Sequence, residues 1–144
     1  MKILLLNGVN MNMLGKRDKR FYGEDTLFEL ERKVMAYAGD FGIAVACAQS
    51  NEEGTLVNIL QQANCDGIVF NAGAYSHYSY ALRDCIECIN IPVVETHMSD
   101  IYSREDFRKI DVLKDVCAEC FYGKGIQSYF DAVDFLRTNY GGKK

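Results

Sequence analysis

Two histidines are the only imidazoles among the 144 residues of the chain. One of them, His97, follows Glu95 by two positions, and side chains two apart on a strand project to the same side. A carboxylate beside an imidazole can orient it and favour its charged form, which suits proton transfer. Spacing alone leaves acid–base chemistry and an ordinary buried pair equally open.

A second candidate lies in the segment NGVNMNMLGKRDKRFYG, residues 7 to 23. Four of the five residues from 16 to 20 are basic, although the formal net charge of the chain is -4. Arg17 and Tyr22 are the reactive side chains of this loop. A phenol is almost fully protonated at neutral pH, so Tyr22 could act as a base only with a cation close by. On the residues alone, a solvated loop with a packed tyrosine is the simpler interpretation.

Three further arginines could bind an anion. Arg83 precedes Asp84 in a helical pattern, and Arg104 and Arg108 follow the fourth predicted strand. Guanidinium groups bind carboxylates through paired hydrogen bonds, but they also form ordinary surface ion pairs. Position in the sequence does not distinguish the two.

Short apolar runs alternate with helical patterns along the whole chain. The runs at residues 3–6, 43–48, 67–70, 93–95 and 116–121 predict five strands, and apolar stripes predict helices near residues 27–41, 56–63, 78–89 and 126–136. Capping-box patterns precede the first two helices, Thr26 with Glu29 and Ser50 with Glu53. This alternation predicts a single α/β domain over residues 1–144, with a parallel sheet covered by helices on both faces.

The predicted elements bring the polar candidates together. In an open parallel sheet, ligands bind beyond the carboxyl ends of the strands, where the strand order reverses. Asn7 and Asn10 follow the first strand, Asn71 and His77 follow the third, and Glu95 to Ser99 end the fourth. We therefore expect one site at this edge.

Composition excludes several classes of function. The acidic net charge argues against a general nucleic-acid binder, and the N-terminal apolar run is too short to span a membrane, so we expect a cytoplasmic protein. Cys85 and Cys88 share a helical face with Ile89, and Cys117 and Cys120 flank the last predicted strand. We interpret these cysteines as small apolar residues and predict no metal site.

Several separated motifs, in order, resemble those of the type II 3-dehydroquinate dehydratases. They are NGVNMNMLGKR with FYG, FNAGAYSHYSYALRD, VETHMSDIYSREDFR and YGKGIQSY. The resemblance covers most of the chain and implies a flavodoxin-like, doubly wound fold. It also implies the anti-elimination of water from 3-dehydroquinate to 3-dehydroshikimate, the third step of the shikimate pathway, without a cofactor.

The resemblance assigns catalytic roles by position. Tyr22 would be the base, held as a phenolate by Arg17, within a mobile lid at about residues 15–23. Asn10 would stabilise the enolate through a water molecule, and His97, supported by Glu95, would protonate the departing hydroxyl. The implied substrate-binding set is Asn71, His77, Asp84, Met98, Ser99, Arg104 and Arg108.

The family resemblance also implies a homododecamer built from trimers. The chain departs from the usual pattern at Val9, where the family has proline, and at Asp100, where it has asparagine. It also departs at residues 109–112, where the family commonly has a His-Ser-Tyr-like stretch. Asp100 would add a negative charge near an anionic substrate. No proposed catalytic group is lost.

Two alternatives belong to other functional classes. A catalytically impaired paralogue could bind dehydroquinate as a sensor, and a flavodoxin-like module could carry a phosphoryl group or a flavin. A phosphoryl receiver needs acidic residues where this chain has Asn7 and Asn71, and the loop after the first strand is a poor phosphate-binding loop. The retained proton-transfer groups favour the enzyme.

Overall fold

The computed structural model describes residues 1–142 and confirms the α/β class. The strands are β1 (Lys2–Asn7), β2 (Ala44–Gln49), β3 (Gly67–Asn71), β4 (Val93–His97) and β5 (Glu119–Tyr122). The α-helices are α1 (Lys19–Tyr22), α2 (Leu27–Gly39), α3 (Glu53–Gln62), α4 (Tyr80–Cys88) and α5 (Gln127–Tyr140). Short 3-10 helices fill the connections, notably Gly73–His77 after β3 and Asp106–Lys109 before β5.

All neighbouring strands are parallel, in the order β2-β1-β3-β4-β5. The chain moves outward from β1 to β2 and then returns to the other side of β1 for β3. The strand order therefore reverses between β1 and β3, as in the flavodoxin-like doubly wound fold. In this register Asn7 lies beside Asn71, and Glu95 lies beside Phe70.

Helices cover both faces of the sheet because alternate strand residues project to opposite sides. Ile3 and Leu5 of β1 join a buried cluster with α2 and α5, whereas Leu6 joins a second cluster with α3 and α4. The central strands β3 and β4 are buried along their whole length. Both layers thus hold the carboxyl ends of β1, β3 and β4 in fixed positions.

Most local predictions agree with the structure, and four differ. The Thr26 and Glu29 capping box is present at α2. At α3, however, Glu52 is the N-cap residue and Ser50 accepts a hydrogen bond from the Glu52 backbone, so the second capping box is wrong. Cys88 and Phe41 are exposed rather than on buried helical faces.

The fourth difference concerns the last strand. Its predicted start at residue 116 is too early, because Lys114–Val116 form a 3-10 turn and pairing with β4 begins at Glu119. Val116 and Cys117 instead pack at the edge of the cluster beneath α3 and α4. Their hydrophobicity reflects that packing and not a strand.

A buried tyrosine connects the helical layer with the strand ends. The Tyr129 hydroxyl donates to Asn7 Oδ1 at 2.7 Å and accepts from Asn71 Nδ2 at 2.8 Å. Asn71 Oδ1 in turn accepts from the Gly73 backbone N–H at 3.0 Å. These bonds fix the turn after β3, which forms one wall of the site.

Residues 1–142 include no helix with the length and apolar character needed to cross a membrane.

Candidate active site

A small polar cavity opens at the carboxyl ends of β3 and β4. Its volume is about 30 Å³. The lining residues are Met11, Arg17, Tyr22, Asn71, Gly73, Ala74, His77, His97, Met98, Ser99, Ile101, Arg104 and Arg108. Nine of the twelve candidate residues from the sequence line it, and Glu95 lies behind His97. Asn10 and Asp84 do not line it.

Tyr22 enters the cavity from α1, at the end of the basic loop. Its phenolic oxygen accepts a hydrogen bond of 2.7 Å from a terminal nitrogen of Arg104, which also bonds Ser99 Oγ at 3.2 Å. The Arg104 side chain is only 8% exposed. Arg104 thus fixes the position of the Tyr22 hydroxyl in the cavity and places a positive charge beside its oxygen.

The arginine assigned to Tyr22 from the sequence makes a different contact. The central carbon of the Arg17 guanidinium lies 3.6 Å from the centre of the Tyr22 ring, so Arg17 stacks on the ring face. A cation over an aromatic face is attracted to the ring's π electrons. The direct hydrogen-bond donor to the tyrosine oxygen is therefore Arg104, which lies 82 residues away in the chain.

His97 ends β4 and lies opposite the loop. Its Nε2 is 2.7 Å from Glu95 Oε1, and both side chains are almost fully buried. The predicted contact between these two residues is therefore present. Because Nε2 is bonded to Glu95, Nδ1 is the nitrogen left for a ligand. Burial lowers the pKa of His97 and raises that of Glu95, because both charged forms lose solvation.

A third titratable group lies behind the histidine and was missed in the sequence. Asp111 Oδ2 is 3.9 Å from His97 Nε2, and the Asp111 side chain is only 3% exposed. Donor atoms of Glu95, His97, Asp111 and Cys120 all lie within 4.8 Å of one another. Such a set could hold a metal ion, but His97 Nε2 is already engaged by Glu95. The arrangement is that of a buried cluster in which His97 and Glu95 share a hydrogen bond.

Three comparisons with known proteins show which family the chain belongs to. The model of the family "Dehydroquinase class II" matches residues 1–137. The chain belongs to this family.

Relatives support the assignment over nearly the full length. The 3-dehydroquinate dehydratase of Pelotomaculum thermopropionicum is 48% identical over 135 residues, which cover 92% of this chain and 94% of that protein. The 3-dehydroquinate dehydratase of Anoxybacillus flavithermus is 44% identical over 144 residues, which cover 99% of this chain and 97% of that protein. The crystal structure of the type II dehydroquinase from Butyrivibrio crossotus superposes with a TM-score of 0.93 at 42% identity, covering 95% of this chain and 97% of that one.

The dehydroquinase cavity is lined by groups suited to an anion. Arg17, Arg104 and Arg108 all reach it. His77 lies on the wall formed by the turn after β3, and its Nδ1 is 2.7 Å from the Ile110 carbonyl oxygen. Because a carbonyl only accepts, Nδ1 carries the proton and Nε2 is the nitrogen left for a ligand. Arg83, by contrast, pairs with Asp115 outside the cavity.

Asn10, which the dehydroquinase resemblance places next to the enolate, is exposed and does not line the cavity. It has a left-handed backbone conformation, with φ of 64°, directly after Val9. Its backbone N–H donates to Asn51 Oδ1 at 3.0 Å. The Asn51 contact thus helps to hold this turn of the dehydroquinase chain.

Asp84 is also outside this chain's own cavity, because it is exposed on α4. Asp100 caps the 3-10 helix Ile101–Ser103, where its carboxylate accepts from the Tyr102 backbone N–H at 3.0 Å. Asp100 does not line the dehydroquinase cavity. Its negative charge would therefore act on an anionic substrate only from outside the lining, and this effect stays a prediction.

Larger hollows occur elsewhere on the molecule. One of about 590 Å³ lies at the amino ends of β1 and β2, beside the end of α3. Its lining is mainly apolar, and none of the catalytic candidates reaches it. The hollow that size alone would select therefore lies at the opposite end of the dehydroquinase sheet from the candidate proton-transfer groups.

Proposed function

We propose that the chain catalyses the anti-elimination of water from 3-dehydroquinate, giving 3-dehydroshikimate through an enolate and without a cofactor. The observation that carries the proposal is the pair of proton-transfer groups in one cavity. Tyr22 is held by Arg104, and His97 is held by Glu95. A base and an acid, each with its own partner, are what a dehydration of this kind requires.

In the first step, Tyr22 removes the proton alpha to the substrate ketone. Arg104 donates a hydrogen bond to the oxygen that takes this proton, and Arg17 on the ring face adds a second positive charge. Negative charge then develops on the ketone oxygen. Fixed cationic groups in a site that excludes water stabilise such charge more strongly than bulk water does.

In the second step, the substrate carbon–oxygen bond breaks and its electron pair leaves on oxygen. His97 donates a proton to that oxygen, so water departs and the conjugated enone remains. Glu95 keeps the imidazole oriented. Nδ1, the nitrogen not bonded to Glu95, is the donor.

The remaining lining residues bind the substrate. We assign its carboxylate to Arg108 and its hydroxyls to His77, Asn71, Ser99 and the backbone near Met98. Arg104 Nε is buried without a hydrogen-bond acceptor, so it could also donate to an oxygen of the substrate. Asn10 can meet the enolate only through a bridging water or after the loop has moved.

The basic loop, residues 15–23, acts as a lid over the cavity of this single domain. A cavity of about 30 Å³ has room for a water molecule but not for a cyclic acid, since ligand pockets are usually about 300 Å³ or larger. Arg17 and Tyr22 occupy the missing space. We propose that residues 15–23 swing outward to admit the substrate and return to place both side chains over it.

The proposal is tested by adding 3-dehydroquinate to the purified protein and following the ultraviolet absorbance of the enone. Turnover separates the enzyme from both alternatives, the impaired paralogue and the flavodoxin-like binding module. Tight binding without an absorbance change at high protein concentration would identify the paralogue. Borohydride should trap no adduct, because no step forms a lysine imine.

Arg104→Lys should lower kcat about 10- to 100-fold, as expected for a charge-assisted hydrogen bond worth about 1.5–3 kcal/mol. A lysine retains the charge but loses the planar group that reaches both Tyr22 and Ser99. Steady-state kinetics with Arg137→Lys as the control would measure this. Arg137 lies on α5 and pairs with Asp134. Equal activity of both variants would contradict the role of Arg104.

We further propose that the chain acts in the cytoplasm as a dodecamer built from trimers. Family membership and the exposed position of Asp84 support assembly, because Asp84 can bind substrate only in the cavity of another copy. Light scattering would give the mass. If Asp84 acts in this way, inactive Tyr22→Phe and Asp84→Asn chains should recover activity when they are unfolded together and reassembled.

A further inference from the structure

Two buried carboxyl groups face each other behind His97. Glu95 uses Oε1 for His97, and its Oε2 is buried without a hydrogen-bond donor. Asp111 uses Oδ1 to accept from the backbone N–H groups of Leu113 and Lys114, at 3.0 and 3.1 Å. Its Oδ2 is likewise buried without a donor. Each carboxyl thus leaves one oxygen unsatisfied, and carboxylate oxygens of the two residues lie within 4.8 Å of each other.

Two ionised carboxylates at this separation repel each other and lack water to screen them. A proton held between the two unsatisfied oxygens removes the repulsion and satisfies both. Burial raises the pKa of each group, and the charge of Glu95 raises that of Asp111 further. The direction of both shifts agrees with the retention of one proton at neutral pH.

We propose that Asp111 is a positioning residue for the acid step: it shares one proton with Glu95, so that the pair presents negative charge to His97 and extends upward the pH range over which the imidazole stays protonated. Asp111 makes no bond to the substrate. The inference rests on the proposed role of His97 as the acid.

Several other charged or titratable side chains surround the pair formed by Glu95 and Asp111. They are His97 on β4, Cys117 and Cys120 at β5, Lys114 in the turn before β5, Tyr102 in the turn after β4, and His77 after β3. His97 itself also shares the cavity with Arg17, Tyr22, Arg104 and Arg108. The thiol pKa values of Cys117 and Cys120 are raised by burial, so both thiols are neutral. Lys114 is cationic and favours the ionised form of Glu95.

The direction in which Asp111 shifts the pKa of His97 follows from the negative charge of the carboxylate. Burial lowers the pKa of His97, and the negative charge of Asp111 opposes this. As pH rises and the shared proton leaves, the carboxyl pair gains a second negative charge, which holds the imidazole proton more firmly. The three groups titrate as one coupled unit. Without Asp111, the imidazole would lose its proton at a lower pH.

Asp111→Asn should therefore move the alkaline limb of the kcat–pH profile down by about one pH unit, the usual effect of one nearby charge. KM should change little, because Asp111 does not line the cavity. The asparagine oxygen can still accept from Leu113 and Lys114, so the fold should be kept. Asp106→Asn is the matched control, since Asp106 is 97% exposed and pairs with Lys109. It should retain the wild-type profile.

A second measurement does not depend on turnover. pH-difference infrared spectra of the wild-type protein should show the C=O stretch of a buried protonated carboxyl at neutral pH, and Asp111→Asn and Glu95→Gln should both lose it. A uniform fall in kcat with an unshifted limb, or a wild type without the infrared band, would overturn the inference. So would stoichiometric zinc that the wild type retains and Asp111→Asn does not, because a cation would then hold the two oxygens.

The two readouts also separate this inference from the assignment of His97. If His97 is not the acid, the infrared band should still depend on Asp111, but the pH profile should not. If the carboxyl pair holds no proton, His97→Asn should still abolish turnover, but the band should be absent.

Discussion

Tyr22→Phe should lower kcat at least about 10³-fold and leave KM within a few-fold of the wild-type value. General bases contribute about 10²–10⁴-fold to enzymatic rates. Phenylalanine keeps the ring on which Arg17 stacks but removes the oxygen that accepts from Arg104. The variant should therefore close its lid over the substrate and bind it without the atom that removes the proton.

Tyr37→Phe is the matched control for this variant. It also removes a phenolic hydroxyl, but that hydroxyl donates to Asp134 at 2.7 Å between α2 and α5, away from the cavity. Steady-state kinetics for turnover and calorimetry for binding would compare the two. A Tyr22→Phe enzyme with activity near that of Tyr37→Phe would show that another group is the base.

Sequence periodicity was enough to predict the order of strands and helices, because buried residues follow regular patterns along the chain in this fold. β3 and β4 are buried along their whole length, so they appear as continuous apolar runs. It failed where apolar residues have another use, as at Val116, which packs beneath a helix without joining β5. Helix capping was predicted correctly at Thr26 and wrongly at Ser50, because the same short pattern also fits a turn.

The site was predicted less completely, because some of its contacts join residues that are far apart in the sequence. Glu95 and His97 are two positions apart on a strand, so their contact could be predicted from spacing. The contact between Tyr22 and Arg104 joins segments 82 residues apart, and only the folded chain selects Arg104 over Arg17 for the hydroxyl. The basic residues near Tyr22 in the sequence predicted a nearby arginine, but they could not show whether it contacts the ring or the hydroxyl oxygen.

Asp111 illustrates the same limit for a residue that no motif contains. It lies in the segment that departs from the family pattern, which the sequence connects only with assembly. Its one available signal was an acidic residue placed just before a buried apolar position, Leu113. The turn that bonds Oδ1 to the backbone is what directs Oδ2 toward Glu95 and His97. That geometry follows from tertiary structure alone.

His97→Asn should lower kcat by about 10²- to 10⁴-fold, the range for loss of a general acid, whereas His77→Asn should mainly raise KM. Both histidines line the cavity, but only His97 has a carboxylate partner, at 2.7 Å from Nε2. His77 instead donates from Nδ1 to the carbonyl oxygen of Ile110, which leaves Nε2 for a ligand. The Nε2 of neutral His77 can accept a hydrogen bond from a substrate hydroxyl, but no carboxylate within residues 1–142 is bonded to this imidazole to hold a second proton. Steady-state kinetics of both variants between pH 6 and 9 would separate a general acid from a substrate-binding residue. Equal losses of kcat in the two variants would contradict the assignment of His97 as the acid.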